Sequence, residues 1–228
     1  MNKDKGEHYK KYGVVAVTNG DGIDKIFKDI GADETINSKC GQNPSSHDFL
    51  EAARRVNSEH VFIFPNNSNF ILSAEQAAKM EKDFSIHVIP SNDIALGYTA
   101  FSTINFECES TEEITRAATK AMNHALSGSI FTAARDTKCG GIRIKKGDVI
   151  GTIGKTISLK AKDSIDCAVK LAKKLLENRY VLTIFKGEEA KGNDLSTIEK
   201  RIKKSCPEAE IYVIDSGQDV FEYIFSAE

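Results

Sequence analysis

Apolar runs and amphipathic stretches alternate along the first half of the chain. Residues 13–18, GVVAVT, form an apolar run without alternation, which is typical of a strand buried on both faces. The following stretch, DGIDKIFKDIG, places Ile23 and Phe27 at helical spacing and ends at Gly31. Similar units recur in NPSSHDFLEAARRV, HVFIF, SNFILSAEQAAKM and IHVIP. This order predicts βαβ units and a doubly wound parallel sheet over residues 13–105.

Small polar residues mark the starts of several of these helices. Asp21 is the predicted N-cap of the first helix, and Ser45 is the predicted N-cap of the helix that contains Phe49. Ser110 and Glu113 have the spacing of a capping box at the head of STEEITRAATKAMNHAL.

The second half has a different pattern, which predicts a mixed α/β subdomain over residues 106–228. SGSIFTAARDT and IRIKKGDVIGTI have strand character, and the KKGD turn predicts an antiparallel hairpin. DSIDCAVKLAKKLL and STIEKRIKKS are amphipathic helices, while VLTIF and IYVID predict two buried strands. Residues 1–12 are charged and aperiodic, so we interpret them as a linker.

Composition excludes several classes of partner. The 228 residues include 31 basic and 33 acidic side chains, for a net charge of -2, which provides no general basic field for nucleic acid. No apolar run reaches the roughly 18 to 20 residues that cross a bilayer, and the first 12 residues lack the apolar core of a signal peptide. We therefore predict a cytoplasmic protein without a transmembrane segment.

The sequence offers little support for metal or nucleophilic chemistry, although a Cys-His pair whose partners meet only in space stays open. The five cysteines are widely spread, without CxxC spacing, and the histidines have no metal-binding spacing, so we expect reduced thiols and no metal site. Cys40 and Cys139 fit small loop residues better than nucleophiles. Neither GxxxxGK[ST] nor GxSxG occurs, and we predict no catalytic residue.

The candidate site consists of amide and hydroxyl side chains where predicted strands meet helices. Ligands of open parallel sheets bind beyond the carboxyl ends of the strands. The residues at these two junctions are Gln42, Asn43 and Ser45, and Asn66, Asn67, Ser68 and Asn69. They either surround an anion at a helix N-terminus or serve as local caps, with Ser68 or Asn67 capping the second helix.

The string VFIFPNNSNFILSAEQAA resembles a signature of the C-terminal domain of the A-type protein of bacterial fatty acid kinases. Further similar pieces follow in order, including GQNPSSHDFLEA, IHVIPSNDIALGYTA and DSGQDVFEYIFSAE, so that the likeness covers residues 13–228. The resemblance implies an α/β fold of the DegV type within a dihydroxyacetone-kinase-like protein. It also implies that ATP and magnesium bind a separate N-terminal kinase domain, that a middle domain joins the two, and that a DegV-type B subunit carries the fatty acid.

The chain departs from the DegV pattern where that pattern binds the carboxylate. Ser68 lies near the family's serine, but Asn69 and Phe70 replace its glycine and threonine. The Gln42 to Pro44 loop lacks the family's hydroxyls, and DSGQDVFEY contains no histidine where DegV proteins have one. The resemblance thus implies a retained scaffold with lost anion ligands.

Two hypotheses follow from these observations. The first is a non-catalytic module that docks the fatty-acid-binding B subunit, with no cofactor of its own, beside the kinase and middle domains. The second is a stand-alone carrier of a fatty acid or another small acid. An autonomous kinase is disfavoured because no nucleotide domain is present, and homodimer formation stays open.

Overall fold

The structure is a computed structural model that describes residues 9–38, 42–107, 110–139, 141–190 and 194–228. The apolar run after Gly13 lies inside a four-stranded sheet. Its strands are β1 (Lys10–Thr18), β2 (Glu34–Asn37), β3 (Ser58–Phe64) and β4 (Ser85–Val88). All pairings are parallel and the order is β2-β1-β3-β4. The predicted parallel layer is confirmed.

Helices cover both faces of this sheet. They are α1 (Asp21–Asp29), α2 (Ser46–Val56), α3 (Ile71–Met80), α4 (Ile94–Ser102) and α5 (Thr111–His124). On one face, Phe49 of α2 and Phe70, the residue before α3, lie in a buried cluster with alternate residues of β1 and β3. On the other face, Phe27 of α1 stacks on Phe101 of α4 with ring centroids 6.2 Å apart. The sheet is therefore buried on both sides, which explains why its strands lack alternation.

The predicted caps differ in outcome. Ser45 caps α2, and its hydroxyl accepts a hydrogen bond from the Asp48 backbone while Asp48 accepts one from Ser45. The capping box between Ser110 and Glu113 is also present. The prediction for Asp21 is wrong, because Gly20 occupies the N-cap of α1 with a φ of 129°. Only glycine adopts such a backbone readily, so the turn rather than a side chain determines the start of this helix.

A mixed six-stranded sheet dominates the second half of the chain. It is built from β5 (Leu126–Thr132), β8 (Val149–Ile153), β9 (Thr156–Ala161), β10 (Val181–Lys186), β11 (Glu210–Asp215) and β12 (Tyr223–Ala227), in the order β11-β10-β12-β5-β8-β9. Only β10 and β11 are parallel neighbours. Two helices, α6 (Ser164–Leu175) and α7 (Asp194–Ser205), pack on one face through a shared apolar core.

The predicted hairpin around KKGD is wrong in its pairing. The turn exists, with the Asp148 N–H donating to the Lys145 carbonyl oxygen at 3.0 Å. It joins β7 (Ile142–Ile144) to β8, but β7 pairs with β6 (Thr137–Cys139), while β8 pairs with β5 and β9. Turn chemistry fixes the local reversal of the chain but not the partners of the strands that follow it.

The prediction that IYVID is a buried strand is also wrong. This segment is β11, at the edge of the sheet, and the Tyr212 side chain is 54% exposed. An edge strand has a neighbour on one side only, so an apolar composition does not ensure burial.

The chain divides into two compact units, residues 1–123 and 124–228. The sequence placed the boundary after residue 105, and the difference is α5, which groups almost entirely with the first unit. An amphipathic pattern shows that a helix is half-buried but not which sheet it covers. The predicted linker covers residues 1–12, but β1 already begins at Lys10, which pairs with Ser58 of β3.

Candidate functional site

The strand order creates a switch point between β1 and β3. The chain leaves β1 towards β2 and leaves β3 towards β4, so the two connections diverge at the carboxyl edge of the sheet. Such a divergence is where open α/β sheets bind ligands. Asn19 follows β1 at this point and Asn66 closely follows β3.

Asn66 is turned into the protein rather than towards a ligand. The residue is 8% exposed, and its side-chain Nδ2 donates to the carbonyl oxygen of Val17 at 2.8 Å. Its Oδ1 accepts from the Ser91 hydroxyl at 2.8 Å, and its backbone N–H donates to the same hydroxyl oxygen at 2.9 Å. Asn66 thus joins the end of β1 to the segment after β4, with both side-chain functions occupied.

The backbone at Asn66 and the glycine at position 97 both accommodate this buried amide. Its φ is 53°, a left-handed conformation that asparagine tolerates better than most residues. Gly97 in α4 lies directly against the side chain, since a Cβ at position 97 would stand 1.7 Å from the Asn66 Oδ1. Any larger residue at position 97 would force this amide out of place.

The three residues after Asn66 build the approach to α3. The Asn67 Oδ1 accepts from the Asn69 N–H at 2.9 Å, and the Phe70 N–H donates to the Asn67 carbonyl oxygen at 3.0 Å. The Ser68 N–H donates to the Asn92 carbonyl oxygen at 3.2 Å. The prediction that Ser68 or Asn67 is the N-cap of α3 is wrong, because Phe70 holds that position without a side-chain cap. Asn67 instead caps the single turn that precedes the helix.

The other predicted junction lies across β1 from the first. Gln42, Asn43 and Ser45 follow β2 and are exposed, and Ser45 is engaged as the cap of α2. Because β1 separates β2 from β3, the carboxyl ends of these two strands are about 10 Å apart, which is two strand spacings. Cys40 and Gly41 lie outside the described residues. The structure places both junctions on one edge but does not bring their side chains into one cluster.

Sequence reasoning did not single out Asn19. Its Oδ1 is buried and has no hydrogen-bond partner among the described residues. A buried acceptor without a donor is rare and costs free energy unless water or a ligand supplies one. Its position directly after β1 could have marked Asn19 as a candidate site residue. Its burial depends on contacts that the sequence does not reveal.

The charge at the start of α1 opposes anion binding there. The carboxylate of Asp24 accepts hydrogen bonds from Thr18 at 3.5 Å and from Thr35, and pairs with Lys28 at 2.8 Å. Burial would raise the pKa of Asp24, but the hydrogen bonds from Lys28, Thr35 and Thr18 outweigh it and lower the pKa. The carboxylate is therefore ionised in the first turn, beside Asp21, and would repel an incoming carboxylate or phosphate.

The loop DSGQDVFEY in the second unit is held together by its own glutamine. Gln218 is fully buried, and its Oε1 accepts from the backbone N–H groups of Val220 at 2.9 Å and Phe221 at 2.8 Å. Its Nε2 donates to the Phe221 carbonyl oxygen. These bonds use the side chain for loop structure at the position where the DegV pattern suggested an anion ligand.

Histidine and cysteine side chains also occur outside the two predicted junctions. His60 and His87 lie on neighbouring strands with Nδ1 and Nε2 3.3 Å apart, and burial together with the His60 ring holds the pKa of His87 below its ordinary value. Burial raises the pKa of Cys167 to about 12, so its thiol is inert. Cys139 lies in β6 and is exposed, not in a loop as expected.

Among residues with a described placement, no three His, Cys, Asp or Glu side chains are grouped to hold a metal ion. Within the same residues, no helix has both the length and the apolar character needed to cross a membrane.

Comparison with known proteins extends these observations. The chain is 34% identical to protein YloV of Bacillus subtilis (strain 168) over 218 residues, which is 95% of this chain and 39% of that protein. The chain thus spans about two fifths of the length of the curated relatives it matches.

Solved structures of DegV proteins have the same fold. A DegV family protein, Cg2579, from Corynebacterium glutamicum superposes with a TM-score of 0.68 at 14% identity, covering 95% of this chain and 96% of that one. The fatty acid kinase B3 protein of Streptococcus pneumoniae, loaded with linoleic acid, gives a TM-score of 0.63 at 14% identity, covering 96% and 99%. Residues 13–228 match the FakA-like C-terminal family, the C-terminal domains of proteins like the A component of fatty acid kinase, and the chain belongs to this family.

Proposed function

We propose that this chain is a non-catalytic docking module of a fatty acid kinase. It holds a fatty-acid-binding, DegV-type B subunit so that the carboxylate of the bound acid can be phosphorylated by a separate ATP domain. Holding the donor and the acceptor in register contributes substantially to the rate of a transfer reaction. The family membership supports a place in a fatty acid kinase system. The geometry of the switch point supports the non-catalytic role.

The observation that carries the proposal is the inward orientation of Asn66. At the edge where a carrier would hold its ligand, this amide bonds Val17 and Ser91 instead. The neighbouring Asn67 is engaged in a local turn. Both asparagines are therefore engaged in the protein's own hydrogen bonds, as expected of a retained scaffold without a ligand.

The described residues do not fit ATP and magnesium either. The turn from β1 into α1 contains Gly20, but the first turn of the helix bears Asp21 and Asp24, which repel phosphate. Two carboxylates without a third nearby ligand are a poor set for a metal-bound nucleotide. We therefore propose that ATP and magnesium bind a separate kinase domain.

Native mass spectrometry tests this proposal. The mass of the purified chain should show no acyl adduct. The chain should form a one-to-one complex when mixed with a DegV-type protein loaded with linoleic acid. An acyl adduct at near-stoichiometric yield, without any complex, would favour the carrier instead.

The carrier hypothesis retains one supporting observation. The buried Oδ1 of Asn19 lies at the switch point without a donor among the described residues, and a protonated carboxylic acid would supply one. If this is its role, Asn19→Ala should abolish the acyl adduct. If the adduct is absent from the wild type, Asn19 has no ligand role to lose.

A further inference from the structure

A short ribbon in the second unit concentrates positive charge. The segment 133–148 contains the hairpin of β6 and β7 and carries two acidic and five basic residues. The basic residues, hereafter the ribbon cations, are Arg135, Lys138, Arg143, Lys145 and Lys146, and all five are exposed. This local excess contrasts with the net charge of -2 of the whole chain.

The pairing register brings some of these cations together. Lys138 lies directly opposite Arg143 in the antiparallel pair, so the two side chains share one face. The other face is apolar, and Ile142 and Ile144 pack there with Ile150. The hairpin thus covers part of the apolar core with one face and directs like charges outward with the other. Like charges opposite each other destabilise a hairpin, and an external counter-charge would relieve this repulsion.

The carboxylates of the ribbon form no ion pair with these cations among the described residues, although Asp148 attracts the charge of Lys145. The Asp136 side chain accepts from the backbone N–H of Lys146 at 2.8 Å. Asp148 pairs with Lys160 at 2.5 Å and accepts from the backbone N–H of Lys145. Among the described residues, none of the five ribbon cations forms an ion pair or a side-chain hydrogen bond.

The ribbon also lacks what a specific protein partner would need. Protein interfaces centre on apolar and aromatic anchors, and single-stranded nucleic acid binds on aromatic platforms. The exposed large apolar side chains of the described residues all lie elsewhere: Leu72, Met80, Tyr180, Tyr212, Val213 and Val220. A partner of this surface must therefore be an extended, negatively charged surface that the cations recognise by charge.

We propose that the ribbon cations bind the surface of an anionic phospholipid bilayer. Clusters of four to eight Lys and Arg residues suffice for such binding, and each contributes attraction near the surface. A bilayer is favoured over duplex nucleic acid because fatty acids, the substrates in the family description, partition into bilayers. This choice of occupant rests on the proposed function, whereas the charge and geometry of the ribbon do not.

Vesicle co-sedimentation of the whole chain tests the proposal. With vesicles of equal parts phosphatidylglycerol and phosphatidylcholine at low ionic strength, we expect binding that pure phosphatidylcholine does not support. Salt at about 0.5 M should abolish it, because the screening length then falls to only a few ångströms. The double variant Lys138→Gln/Arg143→Gln should weaken binding about 25-fold, or about fivefold for each cation.

A matched variant controls for loss of overall charge. Lys200→Gln/Lys204→Gln removes two exposed cations from α7 and should leave vesicle binding within about twofold of wild type. Unchanged thermal midpoints would show that both variants fold. Equal losses in the two variants, or no binding to anionic vesicles, would overturn the proposal.

Duplex DNA provides the competing polyanion. If the chain binds duplex DNA and not vesicles, the ribbon is a nucleic-acid surface and the bilayer proposal is overturned. Failure with vesicles leaves the docking of a B subunit untouched, because that docking is measured in solution without lipid.

Discussion

Replacing Asn66 by alanine removes two buried hydrogen bonds at the switch point. Its side chain bonds the Val17 carbonyl oxygen and the Ser91 hydroxyl, each at 2.8 Å. Each bond contributes about 1 kcal/mol net, and a buried group left without its partner costs about 1 to 3 kcal/mol. Alanine at a φ of 53° adds about 1 kcal/mol, since its Cβ crowds the following carbonyl. We expect the free energy of unfolding to fall by about 3 to 4 kcal/mol.

Urea unfolding followed by far-UV circular dichroism measures this loss, and two other variants separate its causes. Asn66→Gly keeps the left-handed backbone accessible and should cost about 2 to 3 kcal/mol from the side chain alone. Asn67→Ala removes the bond to the Asn69 N–H in a partly exposed turn and should cost about 1 kcal/mol or less. A loss at Asn66 no larger than the loss at Asn67 would refute the structural role assigned to Asn66.

Three other predictions can be measured on the same protein. Gly97→Ala should lower the free energy of unfolding by about 2 kcal/mol through overpacking against Asn66. In an Asn66→Gly background the same change should cost at least about 1 kcal/mol less. Additive losses would contradict the contact between the two residues. Because the pKa of His87 is lowered in the folded state, its contribution to stability should be complete above about pH 6.5 and decline as the pH falls below it. His87→Gln should flatten this decline in urea midpoints measured from pH 7 to 5.5, and an unchanged slope would dismiss His87 as its source. Titration calorimetry should show no saturable ATP binding at low micromolar concentration, and saturable binding would end the assignment of ATP to another domain.

The sequence predicted the parallel layer because its signals are local. Strands buried on both faces read as continuous apolar runs, and GVVAVT and HVFIF are of this kind. The N-cap at Ser45 and the capping box between Ser110 and Glu113 depend on residues within three positions of each other, and both predictions are confirmed. Where the physical cause lies within a few residues, the pattern was sufficient.

The parts that the sequence did not predict depend on distant contacts. β2, of sequence ETIN, is short and has no fully buried residue, so no apolar run marks it. β12 is central in its sheet, yet its place follows from pairing with β5, about a hundred residues away in sequence. The inward turn of Asn66 requires Ser91 and Gly97, which no pattern around Asn66 indicates. The sequence thus indicated which residues follow the strands at this edge of the sheet, while the orientation of their side chains needed the structure.

Titration calorimetry of the chain against a DegV-type protein loaded with linoleic acid tests the central claim most directly. We expect saturable, one-to-one binding to the loaded protein, with the acid retained by that protein after separation of the complex. Titration with free linoleic acid should give no saturable heat. Saturable binding of the free acid, or transfer of the acid to this chain without a stable complex, would contradict the docking role and establish a carrier.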